Sequence, residues 1–452
     1  MTTHGSLTIL LSRRRSPTCI LACAILLPLT SFAQRYQETD QVANVGGQGT
    51  KFVDPHLVNP WGIARSSTGA WWVSDEDRGV ATLYNGEGTA VNAQGAPQPL
   101  VVKIPHAGQG EGGPTGLVFN GSSDFEIQPD KPAIFIFASF DGTISAWNPQ
   151  VNPTVAVEKV KATPGSVLTG ATIAEVKQQR LLYVTDVHEG KIRVFDRNFH
   201  PVQTESEAFE DERLSENFVA FNVQNIGGHL YVTFAQQNQA KNFVNVGPGL
   251  GAVDVFSPEG KLLQHLEASF SFNAPWAVVQ VPTDFGRFSH SILVGQFGGG
   301  QILAFDAITG HFQGELRNQD NNIISIPGLW GLAFGAGNSN SGGANQLFFN
   351  ADVGGKGTGG LHGFFAPVAD DLTQGNDQKE FRLDRYVSSG GARLRHSYLF
   401  ILMAIALANR DKIADEFAKQ GTPPNPTLRG LPSLVDATNA RTADFKRDYL
   451  SD

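Results

Sequence analysis

Oxygen-bearing side chains recur along the chain just after short apolar segments: Asn59, Asp75 with Glu76 and Asp77, Asp141, Asp186 with His188 and Glu189, Asn222 and Gln224, Asn273 and Gln296, and Asn350 with Asp352. Carboxylates and amides converging from several segments could hold a Ca²⁺ ion, which takes about six to eight oxygens at ~2.3–2.6 Å. Asp75, Asp141, Asp186 and Asp352 are the candidate metal ligands. Such an ion could polarise a carbonyl or phosphoryl oxygen while a carboxylate or histidine moves the proton, the chemistry of a lactonase or phosphotriesterase. Asp186 and His188 are the candidate acid–base pair. The same residue types have a plainer use, because Asp and Asn end strands by making turns.

A binding face needs no catalytic constellation. Asn59, Trp61, Asp75, Asp141, Asn222, Gln224, Asn273, Gln296 and Asp352 are its candidate contacts. Phe140 and Phe297 add aromatic surface suited to a glycan, a peptide or another extracellular protein. Other chemistries lack their context. The glycines at Gly298 to Gln301 and at Gly354 to Gly360 read as turns, because no strand-to-helix step accompanies them. No Gly-x-Ser-x-Gly elbow occurs, and 11 scattered histidines form no short metal motif. A binding module is therefore the favoured function, with a Ca²⁺-dependent hydrolase as the alternative.

The elements that must position these residues follow a repeat. "NPWGIA" at Asn59 returns as "NAPWAVV" at Asn273 and "GLWGLAF" at Gly328, and weaker versions fill the spaces between. Aligned on Trp61, Thr115, Thr169, Phe221, Trp276 and Trp330, the units are spaced by 54, 54, 52, 55 and 54 residues. A near-constant period of this size marks a repeat architecture. Each of the first five units also carries an alternating apolar segment such as "GTISAWN" at Gly142 or "GQILAFD" at Gly300, preceded by another apolar strand. Six four-stranded antiparallel units predict an all-β, six-bladed propeller over residues 34–384; the rungs of a β-solenoid are usually shorter. The sixth unit lacks a fourth strand, and "QVANVGG" at Gln41 to Gly47 is the candidate that closes the ring and covers the edge.

In such a ring the motif strand is innermost. Gly62, Gly116, Gly170, Ala277 and Gly331 are small so that backbones can approach. Trp61, Trp276 and Trp330 are expected to alternate onto the face that fills the gap between blades.

Composition agrees with a large β domain. The 452 residues include 50 Gly and 24 Pro, with 41% hydrophobic and 17% charged residues. Arg13 to Arg15, the uncharged run from Thr18 to Thr30 and Ser31-Phe32-Ala33 read as a signal peptide over residues 1–33, which predicts a secreted or periplasmic chain. Both cysteines, Cys19 and Cys23, lie in that segment, so disulfides, cysteine nucleophiles and zinc–cysteine sites are excluded from the mature chain. Cleavage removes three arginines and no acid, moving the formal charge from −9 to −12. That balance gives no electrostatic reason to expect nucleic acid, and a monomer is expected. Residues 385–452 differ in character: a helix followed by a Pro-rich end, with an uncharged run at 397–409 that could contact a membrane or a partner but is too short to span a bilayer.

The signatures "NPWGIA", "GLWGLAFG", "FNVQNIGG" at Phe221 and "NAPWAVV" resemble a family of secreted bacterial six-bladed propellers, and more distantly the NHL-repeat and TolB-like propellers. The resemblance spans Tyr36 to Phe365; it implies the fold and export and brings no activity with it. The gluconolactonase family is similar in blade number and has an acidic residue beside the first inner-strand proline, with asparagines on later inner strands. Here Asn59 stands beside Pro60, Thr115 follows Pro114, and Asn222 alone resembles that set.

Overall fold

The computed structural model of the protein describes residues 34–93, 97–108, 113–267, 272–355 and 357–368. The expected signal peptide and the expected helical extension, with its 397–409 run, lie outside the described residues. Within them the chain forms an all-β propeller of six blades. The innermost strands are Pro60–Ala64, Pro114–Phe119, Leu168–Val176, Phe218–Ile226, Pro275–Gln280 and Leu329–Phe334, for blades I to VI in order. Each blade runs outward as antiparallel neighbours, which follows from short alternating segments joined by Gly, Asn and Asp turns. Helical turns among the described residues are limited to the 3-10 segments Glu76–Arg78 and Gly286–Phe288, and no helix there is long and apolar enough to cross a membrane.

The N-terminal strand does close the ring, but with an earlier segment than the sequence suggests. Arg35–Ala43 pairs antiparallel with Leu361–Pro367 as the fourth strand of blade VI, so Asn44 to Gly47 lie beyond it. Its charged stretch, Glu38 to Asp40, hides the strand from an apolar pattern, whereas an outer strand needs to bury only one face. Tyr36 anchors it: the ring is fully buried, stacks on Phe285 at 4.6 Å and donates its hydroxyl to the Phe285 carbonyl at 3.0 Å.

Every blade's innermost ladder breaks at the motif. The register shifts between Pro60 and Ile63, Leu168 and Gly170, Ala220 and Asn222, Pro275 and Ala277, and Leu329 and Leu332. In blade II the shift lies opposite Thr115 and Gly116. Each is a β-bulge, which inserts a residue and re-aims a side chain. The inserted positions are Trp61, Thr115, Thr169, Phe221, Trp276 and Trp330. The expectation that the tryptophans fill gaps between blades is thereby corrected. Their rings meet one another at the axis, Trp61 on Trp330 at 3.5 Å, Trp61 on Trp276 at 6.0 Å and Trp61 on Phe221 at 6.4 Å. The gaps between blades take other residues; Trp72, for example, packs on Phe135 at 4.4 Å and Trp147 at 4.6 Å between blades I and II.

The two threonines of the ring tie blades together through oxygen. Thr115 Oγ1 donates to the Leu168 carbonyl at 2.7 Å, and Thr169 Oγ1 to the Phe221 carbonyl at 2.7 Å. The small residues next in line serve close approach. A Cβ on Gly62 would stand 2.5 Å from the Thr115 carbonyl oxygen, and one on Gly116 would stand 2.6 Å from the Ala171 nitrogen. Backbone cannot yield as a side-chain tip can, so Gly116→Ala should destabilise the fold by about 1–3 kcal/mol. Gly46→Ala, with nothing within 4 Å of the added methyl, should stay within about 0.5 kcal/mol of the parent. Urea unfolding of the two variants checks the difference.

Candidate functional site

The axial plug forms the floor of a site. Trp61, Phe221, Trp276 and Trp330 are each no more than 5% exposed. Above them lie Phe140, Phe243 and Phe297, which are only half-buried. All three belong to connections between the second and third strands of their blades, blades II, IV and V. Phe297 stacks on Trp330 at 4.0 Å, Phe140 meets the Trp61 ring at 6.2 Å, and Phe243 meets Phe221 at 5.9 Å. Phe243 also contacts Phe140 at 6.0 Å and Phe297 at 5.7 Å. Seven rings therefore make one continuous stack whose upper layer faces solvent at the channel mouth.

One side of the mouth is acidic. Asn59, in the left-handed region at φ +48, accepts the Trp330 indole N–H on Oδ1 at 3.1 Å and donates Nδ2 to Glu76 Oε2 at 2.8 Å. Asparagine tolerates that backbone better than most residues. Glu76 Oε1 would lie 3.0 Å from a Cβ at Gly113, where Phe140 Cβ would stand at 3.3 Å, so the carboxylate borders the phenylalanine layer. Burial raises its pKa to about 6, the Asn59 hydrogen bond opposes this, and the charges of Asp77 and Asp352 add to it. Opposite lies an amide cluster: Gln296 Oε1 accepts from the Asn273 N–H at 2.7 Å, and Gln296 Nε2 donates to Gln301 Oε1 at 3.2 Å.

The remaining expected carboxylates are engaged locally. Asp75 is fully buried and accepts from Thr82 Oγ1 at 2.8 Å, and burial raises its pKa well above the ordinary range. Asp141 accepts from the N–H of Thr143 at 3.0 Å and of Ala107 at 2.7 Å. Asp186 accepts from the Ser166 hydroxyl and from the N–H groups of Val167, His188 and Glu189, with Arg193 Nη1 at 3.7 Å. Asp352 accepts from Gly357 and Gly359 N–H, both at 2.8 Å. Asp75 and Asp186 thus end strands, and Asp141 and Asp352 follow strands, in four separate blades. Among the described residues they form no group within reach of one ion.

The expected acid–base pair does not form through side chains. The backbone N–H of His188 meets Asp186, while its ring Nδ1 lies 3.1 Å from the Lys241 carbonyl. Trp61, 2% exposed, is floor rather than contact surface. Asn222, inside the ring, donates Nδ2 to the Trp276 carbonyl at 2.8 Å. Asn222 and Gln224 line a cavity of about 30 Å³ beside Gly62, Gly116 and Gly331, room for a water or two. Sequence reasoning missed Phe243, which sits in a long polar loop with no strand beside it to draw attention.

No protein-family model matches the chain. An uncharacterized protein of Acanthamoeba polyphaga mimivirus is 28% identical over 353 residues, covering 75% of this chain and 83% of that protein. A second uncharacterized protein of the same virus is 30% identical over 227 residues, 48% of this chain and 42% of its own length. Among solved structures, virginiamycin B lyase from Staphylococcus aureus superposes with a TM-score of 0.43 at 11% identity, over 74% of this chain and all of that one. Glutaminyl cyclase from Myxococcus xanthus gives 0.32 at 13% identity, over 56% of this chain and 91% of that one. The blade assignment rests on this chain's own strand pairing.

Because the Glu76 pKa is raised above its ordinary value of 4.5, the folded state favours the protonated acid. That contribution is complete below about pH 4.5 and is lost as pH rises through about 6. Glu76→Gln should therefore stabilise the protein at pH 8, by up to about 2 kcal/mol, and lose that advantage at pH 4. Chemical denaturation of parent and variant at the two pH values reads the difference.

Proposed function

We propose that the protein is an exported binding module whose axial mouth takes a glycan. The observation that carries this reading is the half-buried layer of Phe140, Phe243 and Phe297 on a buried aromatic floor. Solvent-facing rings held side by side cost free energy unless a ligand covers them, and contiguous apolar patches commonly mark binding sites. A sugar ring offers a C–H face to a phenyl ring and hydroxyls to the groups around it. Glu76 and Asp77 on one side and the partly exposed Asn273 and Gln301 amides on the other supply those hydrogen-bonding partners, with buried Gln296 holding the two residues in place. A rigid floor lowers the ordering cost of binding. The carboxylates that a hydrolytic ion would need lie in separate blades, and among the described residues no group of them comes within reach of one ion, which favours recognition over metal-assisted hydrolysis. The charge and composition of the N-terminal segment support export.

Phe297 lies on Trp330 at 4.0 Å, so tryptophan emission reports on the mouth. Titration of the mature protein with soluble hexasaccharides of glucose, N-acetylglucosamine and galacturonate should give a saturable emission change with at least one of them. Phe297→Ala and Phe140→Ala should each weaken it by about tenfold. No saturable change with any of the three, or affinity unaltered in both variants, would contradict the reading.

A further inference from the structure

At the periphery of blade IV, at its two outermost strands rather than at the axis, three ligating side chains gather. Asp254 lies on the third strand, Gly251–Phe256, and His265 ends the outer strand, Leu262–His265. The two are direct cross-strand partners, so their side chains share a face. Asp211 comes from the connection between Pro201–Val202 of blade III and the inner strand of blade IV. Phe209 pins that connection: its N–H donates to the Gly260 carbonyl at 2.9 Å, and its ring packs against Tyr183 at 5.9 Å and Phe256 at 5.7 Å.

His265 Nδ1 is 2.7 Å from Asp254 Oδ1 and 3.4 Å from Asp211 Oδ2. One ligand atom from each residue lies within 4.8 Å of the others. Asp254 is 1% exposed, and its second oxygen, Oδ2, is buried with no hydrogen-bond partner. The orphaned oxygen marks capacity that the surrounding protein leaves unused.

We infer that Asp211, Asp254 and His265 form a binding site for a divalent first-row transition-metal ion, with Zn²⁺ the best match. One imidazole nitrogen and two carboxylates suit zinc better than the all-oxygen shell that calcium takes. Zinc bonds of about 2.0–2.2 Å in a tetrahedron hold ligand atoms about 3.4 Å apart; the His265–Asp211 pair already has that separation, and the 2.7 Å His265–Asp254 hydrogen bond gives way when the ion enters. Two carboxylates and a neutral imidazole balance the charge of the ion, and a water fills the fourth position. The ion clips the blade III to blade IV connection to the two outer strands of blade IV. Entry is from the side of His265, which is 25% exposed.

Arg213 is the competing cation. Its Nε is 3.4 Å from Asp211 Oδ2 and its Nη2 is 3.9 Å from Asp254 Oδ1, yet its side chain is 59% exposed and free to swing away. This separates a metal site from a plain ion-pair network. In a metal site, Arg213→Ala removes a rival and tightens the ion; in an ion-pair network it only loosens the protein.

The test uses untagged mature protein, stripped with EDTA and titrated with Zn²⁺ by calorimetry, alongside thermal melting. One ion per chain and a raised melting temperature are expected, with affinity at least 100-fold weaker in His265→Ala and Asp254→Asn and at least threefold tighter in Arg213→Ala. Absence of stoichiometric uptake, uptake unchanged in His265→Ala, or weaker uptake in Arg213→Ala would overturn the assignment. If Asp254→Asn fails to fold, the partly exposed His265→Ala and Arg213→Ala variants still decide it.

Discussion

The close approach of six inner strands around one axis is the constraint from which the rest of the molecule follows. Gly62 and Gly116 admit neighbouring backbones that a single methyl would strike. Strands so close cannot also point alternate large side chains at the axis along their whole length. Each blade answers with a bulge at its entrance, where one inserted residue is turned inward. Four of those residues are aromatic and fill the axis; the two threonines bond to the carbonyls of the next blade. The plug is thus the sum of six local irregularities, and it gives the mouth a solid floor.

That floor changes what the loops above it can do. A propeller whose axis is open could draw oxygen ligands from all sides towards a central ion. Here the axis is occupied by rings, and acidic residues at the strand ends accept from the N–H groups that follow them, Asp186 from His188 and Glu189 and Asp352 from Gly357 and Gly359. What reaches the mouth is phenyl surface from Phe140, Phe243 and Phe297, bordered by Glu76, whose burial holds it near the point of protonation.

The period of the motif made the blade count legible in the sequence, since Trp61, Trp276 and Trp330 recur at one spacing with degenerate partners between them. The role of the glycines was legible too, because crowding at an axis is a matter of chain geometry. The direction of the tryptophans was not: a bulge shifts the alternation by one residue, and period-two reasoning has no means of seeing it. The closing strand was misplaced because Glu38 and Asp40 interrupt its apolar pattern. Convergence of carboxylates was beyond the sequence for another reason. An Asp that ends a strand looks the same whether it caps a turn or faces a ligand, and Asp211, Asp254 and His265 meet only through cross-strand pairing and a docked connection.

Whether the axial rings act as one packed unit is the central claim, and a double-mutant cycle on Trp61 and Trp330 tests it most directly. The two rings stack at 3.5 Å although they belong to strands 269 positions apart in the chain. Unfolding free energies of Trp61→Leu, Trp330→Leu and the double variant should reveal a coupling of about 0.5–1.5 kcal/mol. Strict additivity of the two substitutions would contradict a plug built on that contact.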